Sequence, residues 1–231
     1  MTSTVTMRIE RRPAALYFPI MTTLLLVLSL LAFSDNLVTD VHQPSNSDPQ
    51  MAVHGLFAAA WVSLFAVQAW LIYLRKIAAH RKLGQAVFVV GIGLVLSTLY
   101  LFVSKFHGWA AMEPEVLANR LLLPVFVICA GLAWQRRNRA DWHKRLLLVG
   151  TMALLEPVLA RTYDPLTGWM LPATMSEALD TALFLSYLFG TWLAFLGSLW
   201  LYDRATFGRI HPVTLAGTAA VVALNAVAYL S

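Results

Sequence analysis

Cysteine and charged residues are both scarce in this sequence. Cys129 is the only cysteine, so no disulfide can form within the chain and cysteine usage does not indicate a compartment. Only 13% of the 231 residues are Asp, Glu, Lys or Arg, whereas 59% are hydrophobic. Because an ordinary soluble domain carries about 25% charged residues, this composition excludes that class and favours a membrane protein.

Motifs for common catalytic chemistries are also missing. The chain has no H-E-x-x-H, G-x-S-x-G, P-loop, C-x-x-C or C-x-x-C-H motif. No nucleophile and base can be paired from the sequence, which disfavours a hydrolase. The formal net charge of +5 does not indicate nucleic-acid binding, since no segment resembles a nucleic-acid module.

Seven apolar runs occupy most of the chain, each close to the ~20 residues that cross a bilayer core. They cover approximately residues 15–34, 51–74, 83–105, 119–135, 143–160, 180–201 and 212–230. The predicted fold class is therefore all-α, an integral membrane bundle of seven transmembrane helices in a single domain over residues 1–231.

Lys and Arg fall in every second gap between these runs. Of the 17 basic residues, only Lys105, Arg120 and Arg161 lie in the other gaps. Since short basic loops stay in the cytoplasm, the pattern predicts an N-terminus inside and a C-terminus outside. The basic loops are expected to contact anionic lipid headgroups.

The first run permits a second interpretation. Arg11 and Arg12 precede it, and Ala32-Phe33-Ser34 resembles a signal cleavage site. Its apolar stretch exceeds the ~7 to 15 residues of a signal sequence, which favours an uncleaved first span. The longest gaps, residues 35–50 and 161–179, are rich in turn-forming residues and are predicted to be irregular outer loops.

Polar residues recur along one face of the second predicted helix. His54, Trp61 and Gln68 are spaced seven residues apart, which places them on a single seam. Polar groups inside a membrane must face protein, water or a ligand. Two interpretations therefore remain open, a helix-packing seam and the wall of a ligand cavity.

Glu156 is the most unusual polar residue in the fifth run. At 1.5 Å per residue it lies ~20 Å beyond His143, in the outer half of the membrane. A buried carboxylate needs a partner, and Arg120 or Arg161 is the predicted one. A structural ion pair and an outward-facing ligand or metal site shared with His54 are the two alternatives.

His80 and His143 begin the third and fifth predicted helices from the same side. Two imidazoles on facing helices can ligate a haem iron axially, while Arg81, Lys82, Lys144 and Arg145 could hold the propionates. The alternative is that both histidines are solvated in basic loops.

These residues carry a resemblance to a broad group of uncharacterised bacterial multi-pass membrane proteins of the DUF2306 type. The similarity rests on segments spread over residues 15–162, and it implies a bacterial inner membrane but no reaction. The segments are His54-Gly55-Leu56 with Trp61 and Gln68, His80-Arg81-Lys82-Leu83-Gly84, His143-Lys144-Arg145-Leu146, and Glu156-Pro157 with Arg161.

A weaker likeness is to the cytochrome b561 family, whose four-helix core holds two haems. His80 and His143 match one of its ligand pairs. The second pair would join His54 to a histidine at the start of the fourth helix, where this chain has Asn119 and Arg120. The resemblance therefore implies at most one bis-histidine haem.

Three functions from different classes follow. The first is an electron-transfer protein with haem b at His80 and His143, exchanging electrons with a quinone, and it is favoured because it alone gives both histidines a common role. The second is an accessory subunit of another membrane protein. The third is a ligand-binding or transport scaffold with an outward-facing cavity lined by His54, Trp61, Gln68, Arg120, Glu156 and Arg161.

Overall fold

A computed structural model describes residues 15–171 and 174–230, and all regular secondary structure in these residues is helical. Two short helical segments, Asp35–Thr39 and Pro44–Ser47, lie in the first predicted outer loop. The main helices are α1 (Tyr17–Ala32), α2 (Pro49–Tyr73), α3 (Ile77–Ser104), α4 (Pro114–Gln135), α5 (Ala140–Met152), α6 (Glu156–Thr167), α7 (Glu177–Phe207) and α8 (Pro212–Leu230).

The all-helical class is confirmed, and most of the main helices have the length of a membrane span. Five of them, α2, α3, α4, α7 and α8, are long and apolar enough to cross a bilayer, and the bent pair α5 and α6 makes a sixth if it counts as one span. Helix α1 is apolar but has only 16 residues. Many large apolar side chains face outward, as in a multi-pass membrane protein.

Several helix boundaries follow from local sequence. Proline occupies the first position of α2, α4 and α8, where its missing N–H and fixed φ cost nothing. The Asp48 side chain accepts a hydrogen bond from the Gln50 N–H at the start of α2. Helix α7 ends at Gly208, whose φ of 69° is the left-handed conformation that glycine adopts without strain.

The predicted continuous helix over residues 143–160 is wrong. Helix α5 ends at Met152, and α6 starts at Glu156 with its axis bent 61° from that of α5. Pro157 has no N–H to donate to the preceding turn and restricts the residue before it, so a straight helix cannot pass through this point. Helix α6 then continues to Thr167, into the loop predicted for residues 161–179.

Helix α4 is the centre of the bundle. It packs against α3 and against both halves of the broken span, and it also contacts α8. Helix α2 pairs with α3 and α1, while α7 lies beside α6 and α8. Helices α5 and α8 approach closely at Gly217, where an added Cβ would lie 2.3 Å from the Val149 side chain.

Ion pairs lie near the helix ends at both ends of the bundle. At one end, Arg145 of α5 meets Asp203 of α7. At the other end, Lys105 after α3 pairs with Asp48 at 2.7 Å. The hydrogen bond from Lys105 holds the pKa of Asp48 below its usual value. The basic residues Arg8, Arg11 and Arg12 lie outside the described residues.

Candidate histidine pair and polar residues of the bundle

The structure brings the two predicted ligand histidines together. His80 lies in the first turn of α3 and His143 in the first turn of α5, at the same end of the bundle. Their ring centroids are 6.4 Å apart, and the ring planes are nearly perpendicular at 89°. Both side chains are half-buried. Histidines dispersed in solvated loops would not meet in this way.

Hydrogen bonding prepares His143 for ligation. Its Nδ1 lies 2.9 Å from the backbone oxygen of Ala133, an acceptor, so this nitrogen carries the proton. The lone pair is then on Nε2, which is the arrangement that protein metal sites use to orient an imidazole. Ala133 is fully buried in α4, so the acceptor is held by the core.

His80 differs because one of its ring nitrogens has no protein partner. Its Nδ1 is buried and makes no hydrogen bond to the described residues. The His80 backbone oxygen accepts from Nε2 of Gln68, which ties the start of α3 to α2. A buried, unpartnered imidazole nitrogen is costly unless a ligand satisfies it.

The centroid separation of the pair is close to that of two imidazoles bound to one metal ion. Two metal–nitrogen bonds of about 2 Å, with the ring radii added, require centroids ~6 Å apart. The perpendicular ring planes are compatible with two imidazoles that would bind one haem iron. Gly84 lies one turn after His80 and is loosely surrounded. A Cβ added there would have only Gln68 Nε2 within 4 Å, at 3.7 Å.

Two of the four predicted propionate partners are committed elsewhere. Arg145 is fully buried and contacts Asp203 at 2.5 Å, so the prediction that it holds a propionate is wrong. Lys144 donates a hydrogen bond to the Tyr202 hydroxyl at 2.8 Å and is therefore already bound to another group. Arg81 and Lys82 are exposed beside His80 and are the remaining candidates.

The buried pair at this end was not predicted from the sequence. Asp203 accepts from Nε and Nη2 of Arg145, and its second oxygen accepts from the Thr214 hydroxyl and the His211 N–H. These groups join α5, α7 and α8. The only sequence signal for this pair is Asp203 itself, an acid in the last turns of an apolar helix, where a charge needs a partner.

Glu156 is fully buried as predicted, but its predicted partners are wrong. Arg161 pairs with Asp35 at 3.1 Å, and Arg120 donates to the Phe102 backbone oxygen. One Glu156 carboxyl oxygen accepts from the Tyr229 hydroxyl of α8, and the other has no hydrogen-bond partner among the described residues.

The polar seam of α2 is used for helix packing. His54 Nδ1 lies 3.3 Å from the Ser97 hydroxyl of α3, and the Trp61 N–H donates to Thr151 of α5 at 3.2 Å. The Trp61 ring also fills the space beside Gly91, where a Cβ would lie 2.8 Å from it. The packing interpretation therefore accounts for the seam.

The predicted outward-facing cavity is not assembled. Its six residues contact separate partners, Arg161 and Arg120 at the outer end and Gln68 beside His80 at the other. Among the described residues, no group of three or more His, Cys, Asp or Glu side chains has the geometry of a metal site. Glu156 and His54 therefore do not form the predicted metal site.

We expect Glu156→Gln to destabilise the protein more than Asp164→Asn. The Glu156 carboxyl is fully buried and bound to Tyr229, whereas Asp164 is exposed. Disturbing the hydrogen bonding of a buried polar group costs about 1 to 3 kcal/mol, and a change to an exposed acid costs little. Melting temperatures in detergent compare the two variants, and equal small shifts would contradict this account of Glu156.

Comparison with known proteins returns no relative: no protein-family model, no curated protein and no solved structure matches the chain.

Proposed function

We propose that this protein is a small electron-transfer protein of the bacterial inner membrane that holds haem b between His80 and His143. The perpendicular approach of the two rings, with centroids 6.4 Å apart, is the observation that carries the proposal. Bound there, haem b would supply reversible one-electron transfer. A quinone or another membrane protein is the proposed redox partner.

Each residue at the pair has a distinct role in this proposal. The Ala133 carbonyl orients His143, and Gln68 fixes the backbone of His80. Exposed Arg81 and Lys82 lie beside His80 and would hold the propionates of the haem.

Absorption spectroscopy of the wild-type protein from haem-replete cells tests the proposal. We expect a low-spin Soret band and a sharp alpha band after reduction, with about one haem per chain. Protein that is folded and pure but has no Soret absorption after haem addition in detergent would overturn it.

The proposed topology has seven spans, with α1 as the first and the broken pair α5 and α6 as the fifth. Alkaline phosphatase fused after Ser231 should then be active, because the C-terminus is outside, and a fusion after Arg137 should be inactive. Fluorescent-protein fusions at the same positions should give the reverse pattern. An inactive phosphatase after Ser231 would contradict the odd number of crossings.

A further inference from the structure

A cavity lies between α7 and α8, away from the histidine pair. Its volume is about 370 Å³, and its walls include Phe189 and Trp192 of α7 and Val221, Asn225 and Tyr229 of α8. This volume is in the range of small-molecule sites. The rim faces the membrane, since Leu193 and Val222 are 61% and 46% exposed. A ligand would therefore enter from the bilayer.

Two polar side chains of this cavity are buried, and each has one polar atom without a hydrogen bond to the described residues. Trp192 and Asn225 are only 3% and 2% exposed, and neither the Trp192 N–H nor the Asn225 Oδ1 makes a hydrogen bond of normal geometry to the described residues. The Asn225 amide nitrogen is already used, since it donates to the Val221 backbone oxygen. Among the described residues, the cavity wall thus has one donor and one acceptor without a hydrogen bond of normal geometry.

The neighbouring carboxyl group does not remove this need. Tyr229 donates its hydroxyl hydrogen to Glu156, so the Tyr229 proton is not free for a ligand. The second Glu156 oxygen lies near the Trp192 N–H, but it makes no hydrogen bond of normal geometry to the described residues. Buried polar groups are normally satisfied in native proteins. Two atoms of the cavity wall, Trp192 Nε1 and Asn225 Oδ1, lack a hydrogen bond of normal geometry to the described residues, which indicates a missing ligand group.

The missing group must donate and accept at the same time. A hydroxyl does both, since its hydrogen can go to Asn225 Oδ1 while its oxygen accepts from the Trp192 N–H. A ketone lacks the donor and an ammonium lacks the acceptor. The walls favour an aromatic body, because Phe189 and Tyr229 meet edge to face with centroids 5.5 Å apart and Trp192 is beside them.

We infer that this cavity binds a lipid-soluble phenol or quinol, with its ring hydroxyl between Trp192 and Asn225. The inference concerns binding and does not depend on haem at His80 and His143. It also assigns a role to Glu156, whose contact with Tyr229 holds that ring in the cavity wall.

Titration of the full-length protein in nanodiscs with decylhydroquinone tests the inference. Its dimethyl ether has a similar body but no hydroxyl, and 1-decanol has a hydroxyl but no ring. We expect saturable binding of decylhydroquinone beyond that of empty nanodiscs, and at least about 10-fold weaker binding of both analogues. Equal binding of the ether would show that the cavity binds the apolar body and does not recognise the hydroxyl. Equal binding of decanol would show that the ring is not recognised. Either result, or no saturable binding, would overturn the inference.

Variants locate the site on the cavity. Trp192→Phe and Asn225→Leu should each weaken decylhydroquinone binding about 10-fold. Trp200→Phe is the matched control, because Trp200 is on the same helix but its N–H already donates to Thr218 at 2.9 Å. Its affinity should remain that of wild type. Binding that survives both cavity substitutions in folded protein would place the ligand elsewhere and overturn the inference.

Discussion

Arg145→Ala should lower the free energy of unfolding by about 3 to 5 kcal/mol, the cost of removing one partner of a buried ion pair. The Arg145 and Asp203 side chains are both fully buried. The substitution leaves the Asp203 carboxylate in an apolar bundle with only the Thr214 hydroxyl and the His211 N–H as donors. Reversible unfolding of the protein in mixed micelles with increasing SDS measures the change.

Lys105→Ala is the matched control for this prediction. It also removes the cation of an ion pair, but the Lys105 and Asp48 side chains are 51% and 24% exposed. Exposed pairs contribute about 0 to 1 kcal/mol, so the control should unfold almost like wild type. If Arg145→Ala were as mild as the control, the buried pair would not stabilise the junction of α5, α7 and α8.

Loss of haem is the second large effect that we predict. His80→Ala and His143→Ala should each abolish the low-spin spectrum, because neither imidazole alone provides two axial ligands. His42→Ala should keep the spectrum, since His42 is exposed in a loop at the other end of the bundle. Optical spectra of the three purified variants, scaled to protein concentration, give the result.

Added imidazole separates ligand loss from misfolding. The cavity left by His80→Gly or His143→Gly can admit free imidazole, which should restore the low-spin bands if the protein is folded. Circular dichroism and size-exclusion profiles like those of wild type are required for all variants. Unchanged spectra in both alanine variants would show that other residues bind the haem.

The sequence predicted the helical segments well because the membrane requires long apolar runs. The bounds of α8 agree with the predicted residues 212–230, since Pro212 provides a local start signal. Helix α3 begins at Ile77 and not at residue 83, because the helix continues into the polar surface at Arg81 and Lys82 while hydropathy marks only its apolar part.

Contacts between side chains that are distant in sequence could not be predicted. The charge of Arg145 was evident, but Asp203 is 58 residues away and nothing local indicates that α5 and α7 meet there. Likewise, the burial of Glu156 followed from its depth, whereas its contact with Tyr229 depends on how α6 and α8 pack. The two histidines were an exception, since both begin helices on one side of the membrane.

Electron paramagnetic resonance of the oxidised, haem-loaded protein tests the central claim most directly. The perpendicular rings of His80 and His143 predict a highly anisotropic low-spin ferric signal, which parallel imidazole planes do not produce. This signal should disappear in His143→Ala and persist in His42→Ala. A high-spin signal alone, or no ferric haem signal, would contradict ligation by the two histidines.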